Sequence, residues 1–150
     1  MNPIPDEQQL KKRNEIVYTV TDYYDGPRKG IANYNGAPHF YECLFDTAND
    51  DYSDAFQLTP IDQPTFLLAM EDWHIWLRWE SAFYAGETTL ETHPALPADA
   101  ARHKELVSVL QNALITGPNA ITRIGIFSGL GVSDLPRSRM RSLQVEWREL

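Results

Sequence analysis

Two dipeptides, Asp25-Gly26 and Asn35-Gly36, constrain this chain more than any other feature. Each supplies the positive φ angles that tight hairpin turns demand, and each stands between runs rich in β-branched and aromatic residues. Ile16 to Tyr24 (IVYTVTDYY), Lys29 to Tyr34 and His39 to Phe45 (HFYECLF) therefore read as a three-stranded antiparallel meander. In the third run Tyr41, Cys43 and Phe45 alternate with Phe40, Glu42 and Leu44, and the first set, being more apolar, marks the core face. Pro27 and Pro38 sit beside the turns, where a missing N–H is tolerated.

The period changes further along. Asp46 to Asp54 (DTANDDYSD) reads as an acidic loop, and Ala55 to Thr59 as a fourth short strand. Asp62 has the chemistry of an N-cap, and Thr65 to Ala85 reads as one long helix ended by Gly86. Its apolar positions Phe66, Ala69, Met70, Trp73, Trp76, Leu77 and Phe83 follow the spacing of a buried face. A second amphipathic helix is expected over Ala98 to Leu114, broken by Gly117-Pro118-Asn119. Strands at Ala120 to Phe127 and Ser142 to Trp147 follow, separated by a Gly/Ser/Asp/Pro segment, Ser128 to Pro136. The order implies an α+β domain over residues 1–150, with 1–14 a flexible, polar lead-in. Its antiparallel sheet has about five to six strands, the N-terminal meander plus the C-terminal strand pair, packed by two helices.

Composition removes several classes of function. An apolar content of 43% excludes a disordered chain. No apolar run approaches the roughly 20 residues that span a bilayer, and the start lacks a signal-peptide core, so a cytoplasmic, non-membrane protein is expected. One cysteine, Cys43, forms no internal disulfide, which fits a reducing compartment. On a core-facing strand position it reads as a buried inert thiol. Net charge is −8, from 13 basic and 21 acidic residues. Nucleic-acid binding needs a basic face, and only Arg137, Arg139 and Arg141 offer a small one, so nucleic acid is set aside.

The phosphate-binding, nucleophile-elbow and zinc-protease signatures are absent, as are paired cysteines, and no cofactor is expected. Four constellations remain. Asp22, Asp25 and Arg28, with Tyr23 and Tyr24 between them and His39 on the adjacent strand, could bind a polar ligand or share acid–base work. Glu71 and His74 share a helix face at metal-ligand spacing, with Asp99 and His103 four apart on the second helix, but no matching set completes a di-iron bundle. Trp73, Trp76 and Trp79 sweep around the long helix, so that at least one, with Trp79 the choice, is expected at a binding surface. The loop carboxylates Asp46, Asp50, Asp51 and Asp54 lack the glycine and closing glutamate of a calcium loop; they read first as a solvated loop, with contact to a basic partner as the alternative.

Asp22-Tyr-Tyr-Asp-Gly-Pro-Arg28, then Gly30-Ile-Ala32, Tyr34, Gly36 and Pro38-His39, followed by Glu71-Asp72-Trp73 and Trp76-Leu-Arg-Trp-Glu80, resembles a group of small uncharacterised bacterial cytosolic proteins. The likeness covers residues 16–110, implies a bacterial cytosolic origin, and carries no activity. The functional expectation is therefore a protein-binding module of the antagonist, immunity or adaptor kind, acting through its acidic surface on a basic protein, and leaning away from enzymes. The alternative is a small-molecule binder or enzyme built on Asp22, Asp25, Arg28 and His39. Homo-oligomerisation through an apolar patch is a third reading.

Overall fold

The turn chemistry acts as the sequence implies. Asp25 and Gly26 have φ of 52° and 126°, and Asn35 and Gly36 have φ of 51° and 78°, the second pair forming a type I′ turn. The Glu15 carboxylate reinforces that turn by accepting from the N–H groups of Asn35 (2.9 Å) and Gly36 (2.7 Å). The computed structural model describes residues 13–129 and 143–150. Its strands are β1 (Asn14–Tyr23), β2 (Pro27–Tyr34), β3 (Ala37–Asp46) and β4 (Asp51–Pro60), then β5 (Ile121–Ser128) and β6 (Gln144–Arg148). Helices α1 (Gln63–Tyr84) and α2 (Ala100–Ala113) lie between β4 and β5. Asp62 caps α1 as expected, its Oδ1 accepting from the Thr65 N–H at 2.9 Å. The lead-in, apart from Arg13 and Asn14, and the arginines at 137, 139 and 141 lie outside the described residues; Asn14 already belongs to β1.

The sheet is not the open one expected. β1 pairs with β2 on one side and with β6 on the other, so six antiparallel strands close into a barrel with the two helices outside it. Mixed α and β content holds; an open sheet layered by helices does not. Alternation reports which residues face inward and is silent on whether first and last strands meet. Closure needs local bends, supplied here by register shifts at three points of β1 and between Cys43 and Phe45 of β3. It also needs room inside. Gly30 and Gly125 face the interior, where an added Cβ would meet the Tyr41 hydroxyl at 2.5 Å and the Trp147 ring at 2.6 Å respectively. Small residues opposite large ones are how a narrow barrel fills its taper.

The interior is solid. Val17, Val20, Tyr41, Phe56, Leu58 and Val145 are buried there, with Phe127 and Trp147 packed against them. Tyr41, Phe56, Phe127 and Trp147 meet pairwise with ring centroids 5.4–6.2 Å apart, in tilted or edge-on contacts that aromatic quadrupoles favour. The Trp147 indole N–H donates to the Asn33 carbonyl at 2.9 Å. A second core lies outside the barrel wall, where Tyr18 and Ile31 meet Phe66, Ala69, Ile75, Leu106 and Leu110 of the helices. Both faces of β2 are consequently apolar: Ile31 points to the helices and Ala32 into the barrel.

Candidate functional site

An up-and-down barrel sends alternate turns to opposite ends, so the β1–β2 turn and the β3–β4 turn share one end. Two clusters read separately from the sequence, Asp22 to Arg28 and Asp46 to Asp54, therefore become neighbours. Aromatic rings join them. Tyr24 lies 6.1 Å from Tyr52, Phe45 packs edge-on to Tyr52 at 5.2 Å, and the Arg28 guanidinium stands 4.4 Å over the Tyr52 ring. Tyr24 is 68% and Phe45 48% exposed. The expectation that Phe45 faces the core with Tyr41 and Cys43 fails because the register shift after Cys43 turns the strand end outward.

Arg28 is spent on the backbone. Its Nε–H donates to the Tyr24 carbonyl (2.7 Å) and its Nη2 to the Asp25 carbonyl (2.8 Å), which fixes the turn. Its Nη1 lies 3.6 Å from Cys43 Sγ. Burial pushes the Cys43 thiol up; the nearby Arg28 opposes this without overcoming it. Cys43 is 7% exposed and donates to the Ser53 carbonyl at 3.2 Å, as an inert thiol would.

Among the described residues, Asp22, Asp25, Asp46, Asp50, Asp51 and Asp54 make no ion pair with Lys or Arg. Asp46 is held below the usual carboxylate range, chiefly by the Asn49 side-chain amide at 2.6 Å, with N–H groups of Asn49 and Ala48 adding to it. Asp51 Oδ1 accepts from the Tyr52 N–H at 2.8 Å. Asp25, Asp50, Asp51 and Asp54 are exposed. This end thus presents exposed aromatic rings together with exposed carboxylates.

His39 does not join it. It is in register with Ala32, whereas Asp22 is in register with Lys29, and at about 3.3 Å per residue the four positions from Arg28 to Ala32 span about 13 Å. Its Nδ1 donates to the Ala37 carbonyl at 2.7 Å and its ring meets Tyr34, at the opposite end. Trp79 is not at a surface either. It is 5% exposed, its indole N–H donates to Thr92 Oγ1 at 2.9 Å, and it stacks on Phe83, because Ile75 and Trp79 turn toward the Leu90–Ala95 connection rather than outward. Trp73 and Trp76 are the half-buried tryptophans.

The possible metal ligands are otherwise engaged. Glu71 accepts twice from Arg102 (2.6 and 2.8 Å) and Asp99 twice from Arg78 (3.0 Å each). Both carboxyls are lowered by those guanidinium hydrogen bonds. His103 Nδ1 donates to Asp72 Oδ1 at 2.6 Å, and His74 is exposed. Among the described residues no three His, Cys, Asp or Glu side chains gather as a metal site requires. No described helix is long and apolar enough to cross a membrane.

No protein-family model matches the chain, and comparisons with curated proteins and with solved structures find no match. The sequence reading missed the union of the two turns and the role of Tyr24, Phe45 and Tyr52. The available signal was that strand count alone, three up and three down, assigns both turns to one end.

Proposed function

We propose that this chain is a protein-binding module that engages a basic partner through the barrel end built by the β1–β2 and β3–β4 turns. One observation carries the reading: Tyr24 and Phe45 stand exposed around Tyr52 at a barrel end whose aspartates make no ion pair with Lys or Arg among the described residues. Aromatic side chains supply most of the energy at protein interfaces, and uncompensated charge around them steers an oppositely charged partner. Two features of the fold narrow the mode of binding. The sheet closes, so side chains rather than a long free strand edge are the means of recognition. Among the described residues the interior is filled by Tyr41, Phe56 and Val145. Like charge also disfavours self-association through this face.

The test is a matched capture from the native host with three baits: the parent chain, Tyr24→Ala/Phe45→Ala, and Asp50→Lys/Asp51→Lys. A basic protein held near equal stoichiometry by the parent and released by both variants, and by raised salt, supports the reading. A partner retained equally by all three baits refutes it, as does a parent chain recovered alone at full yield.

A further inference from the structure

The helices and the barrel wall do not close completely. Between them lies a cavity of about 190 Å³, whose lining includes Thr21, Phe40, Asp72, Trp73, Trp76 and His103. It continues into a wider, shallower groove beside α2; Thr21, Phe40 and Asp72 border both spaces. Asp72 thus stands where the enclosed part meets the open part. Trp73 and Trp76 stack with centroids 5.4 Å apart and planes 20° from parallel, giving a broad indole wall.

The Asp72 carboxylate is the anionic group of the cavity lining. Asp72 Oδ1 takes the Nδ1–H of His103 at 2.6 Å. The two side chains are 24% and 22% exposed, so the pair is screened but reachable. Arg102–Glu71 and Arg78–Asp99 bridge the same two helices and hold the pair in place. The nearest cation of the groove, Lys29, is engaged by Glu42 at 3.2 Å, and Glu42 also accepts from Thr116 at 3.0 Å. A guest that brings a hydrogen-bond donor suits the Asp72 carboxylate. Positive charge on the guest suits both the Asp72 carboxylate and the indole faces, since tryptophan is the best aromatic partner for a cation. Size sets the rest: a dry cavity of about 150 Å³ accepts a benzene ring, so this one suits a single ring with a short polar arm.

We propose that this cleft is a binding site for a small aromatic amine, its ring against Trp73 and Trp76 and its ammonium on Asp72. The cavity is lined by none of the residues of the acidic barrel end, and the proposal stands or falls independently of that reading.

The probe is 2-phenylethylamine, titrated into the ¹⁵N-labelled chain while the indole N–H signals of its four tryptophans are followed. The Trp73 and Trp76 signals shift and saturate, and that of Trp147, inside the barrel, stays. 3-Phenylpropionate, with a carboxylate in place of the ammonium, binds at least about tenfold more weakly, and Asp72→Asn loses about tenfold for the amine. Thr21→Phe, at an exposed strand position bordering the cavity, fills it and abolishes the shifts; it decides the matter if Asp72→Asn does not fold. No saturable shift of Trp73 and Trp76 up to about 10 mM, equal binding of acid and amine, or undiminished binding by Thr21→Phe each overturns the proposal.

Discussion

Gly30→Ala adds one methyl group to β2 and strikes the barrel where it has least room. The new Cβ would meet the Thr19 carbonyl oxygen, lie 2.8 Å from the Thr19 carbonyl carbon, and come within 2.5 Å of the Tyr41 hydroxyl. The first two are backbone atoms and cannot swing aside. Tyr41 is fully buried, and its hydroxyl donates to the Thr19 carbonyl at 2.8 Å across the space that Gly30 leaves open. Overpacking a well-filled core costs about 1–3 kcal/mol. Displacing a buried hydroxyl from its acceptor costs about 1–3 kcal/mol more. The expected loss is about 2–6 kcal/mol against a total of about 5–15 kcal/mol for a domain of this kind. Tyr41→Phe alone removes the hydrogen bond and costs about 1 kcal/mol. It also removes the hydroxyl that the new methyl strikes, so the double variant falls short of the sum by about 1 kcal/mol. Urea midpoints measured at constant slope read all three values. A Gly30→Ala midpoint within about 0.5 kcal/mol of the parent would show that the wall is not folded as described.

Three further outcomes follow from packing and charge. Trp79→Ala, at a 5% exposed position with a bound indole N–H, should cost about 3–5 kcal/mol in denaturant melts; a loss below about 1 kcal/mol would return Trp79 to the surface. Asp46, Asp62, Glu71 and Asp99 are all held below the ordinary carboxylate range, by Asn49, Thr65, Arg102 and Arg78 respectively. Stability from such groups is complete above the unfolded value of about 4 and is lost as pH falls through the lower folded values. The urea midpoint should thus drop on acidification below that point, less steeply in Glu71→Gln, and an identical drop in that variant would discount the Glu71–Arg102 pair. Cys43, raised by burial, should react with iodoacetamide far more slowly in the native chain than in urea; equal rates would mean the thiol is not buried.

Local structure was largely legible in the sequence because local chemistry decides it. Asp25-Gly26 and Asn35-Gly36 turn where positive φ is available, Asp62 caps its helix, and the strand-forming runs form strands. Closure was not legible. It depends on β1 reaching β6, a pairing of Glu15 with Val145 that spans almost the whole chain, and on bulges whose cause is packing rather than residue type. Helices on the outer wall hid the alternation further, since Phe40 is buried under α1 and α2 while Tyr41, beside it, is buried in the barrel. Of the candidate residues, Asp22, Asp25 and Arg28 share a barrel end with Asp46, Asp50, Asp51 and Asp54 because hairpin parity puts their turns there. His39 is excluded by the same parity, four residues down the ladder. Trp79 was misplaced because a helix packed on two sides, by the barrel and by α2 with its connection, has no single buried stripe.

The central claim is that the barrel end carrying Tyr24, Phe45 and Tyr52 is a protein-binding surface. The measurement that tests it most directly is hydrogen–deuterium exchange of the chain alone and in complex with a basic partner captured by it. The account requires protection concentrated in residues 22–28 and 44–53, with the backbone of α1 and α2 unchanged. Protection confined to the helices, with both turns exchanging as in the free chain, would contradict it.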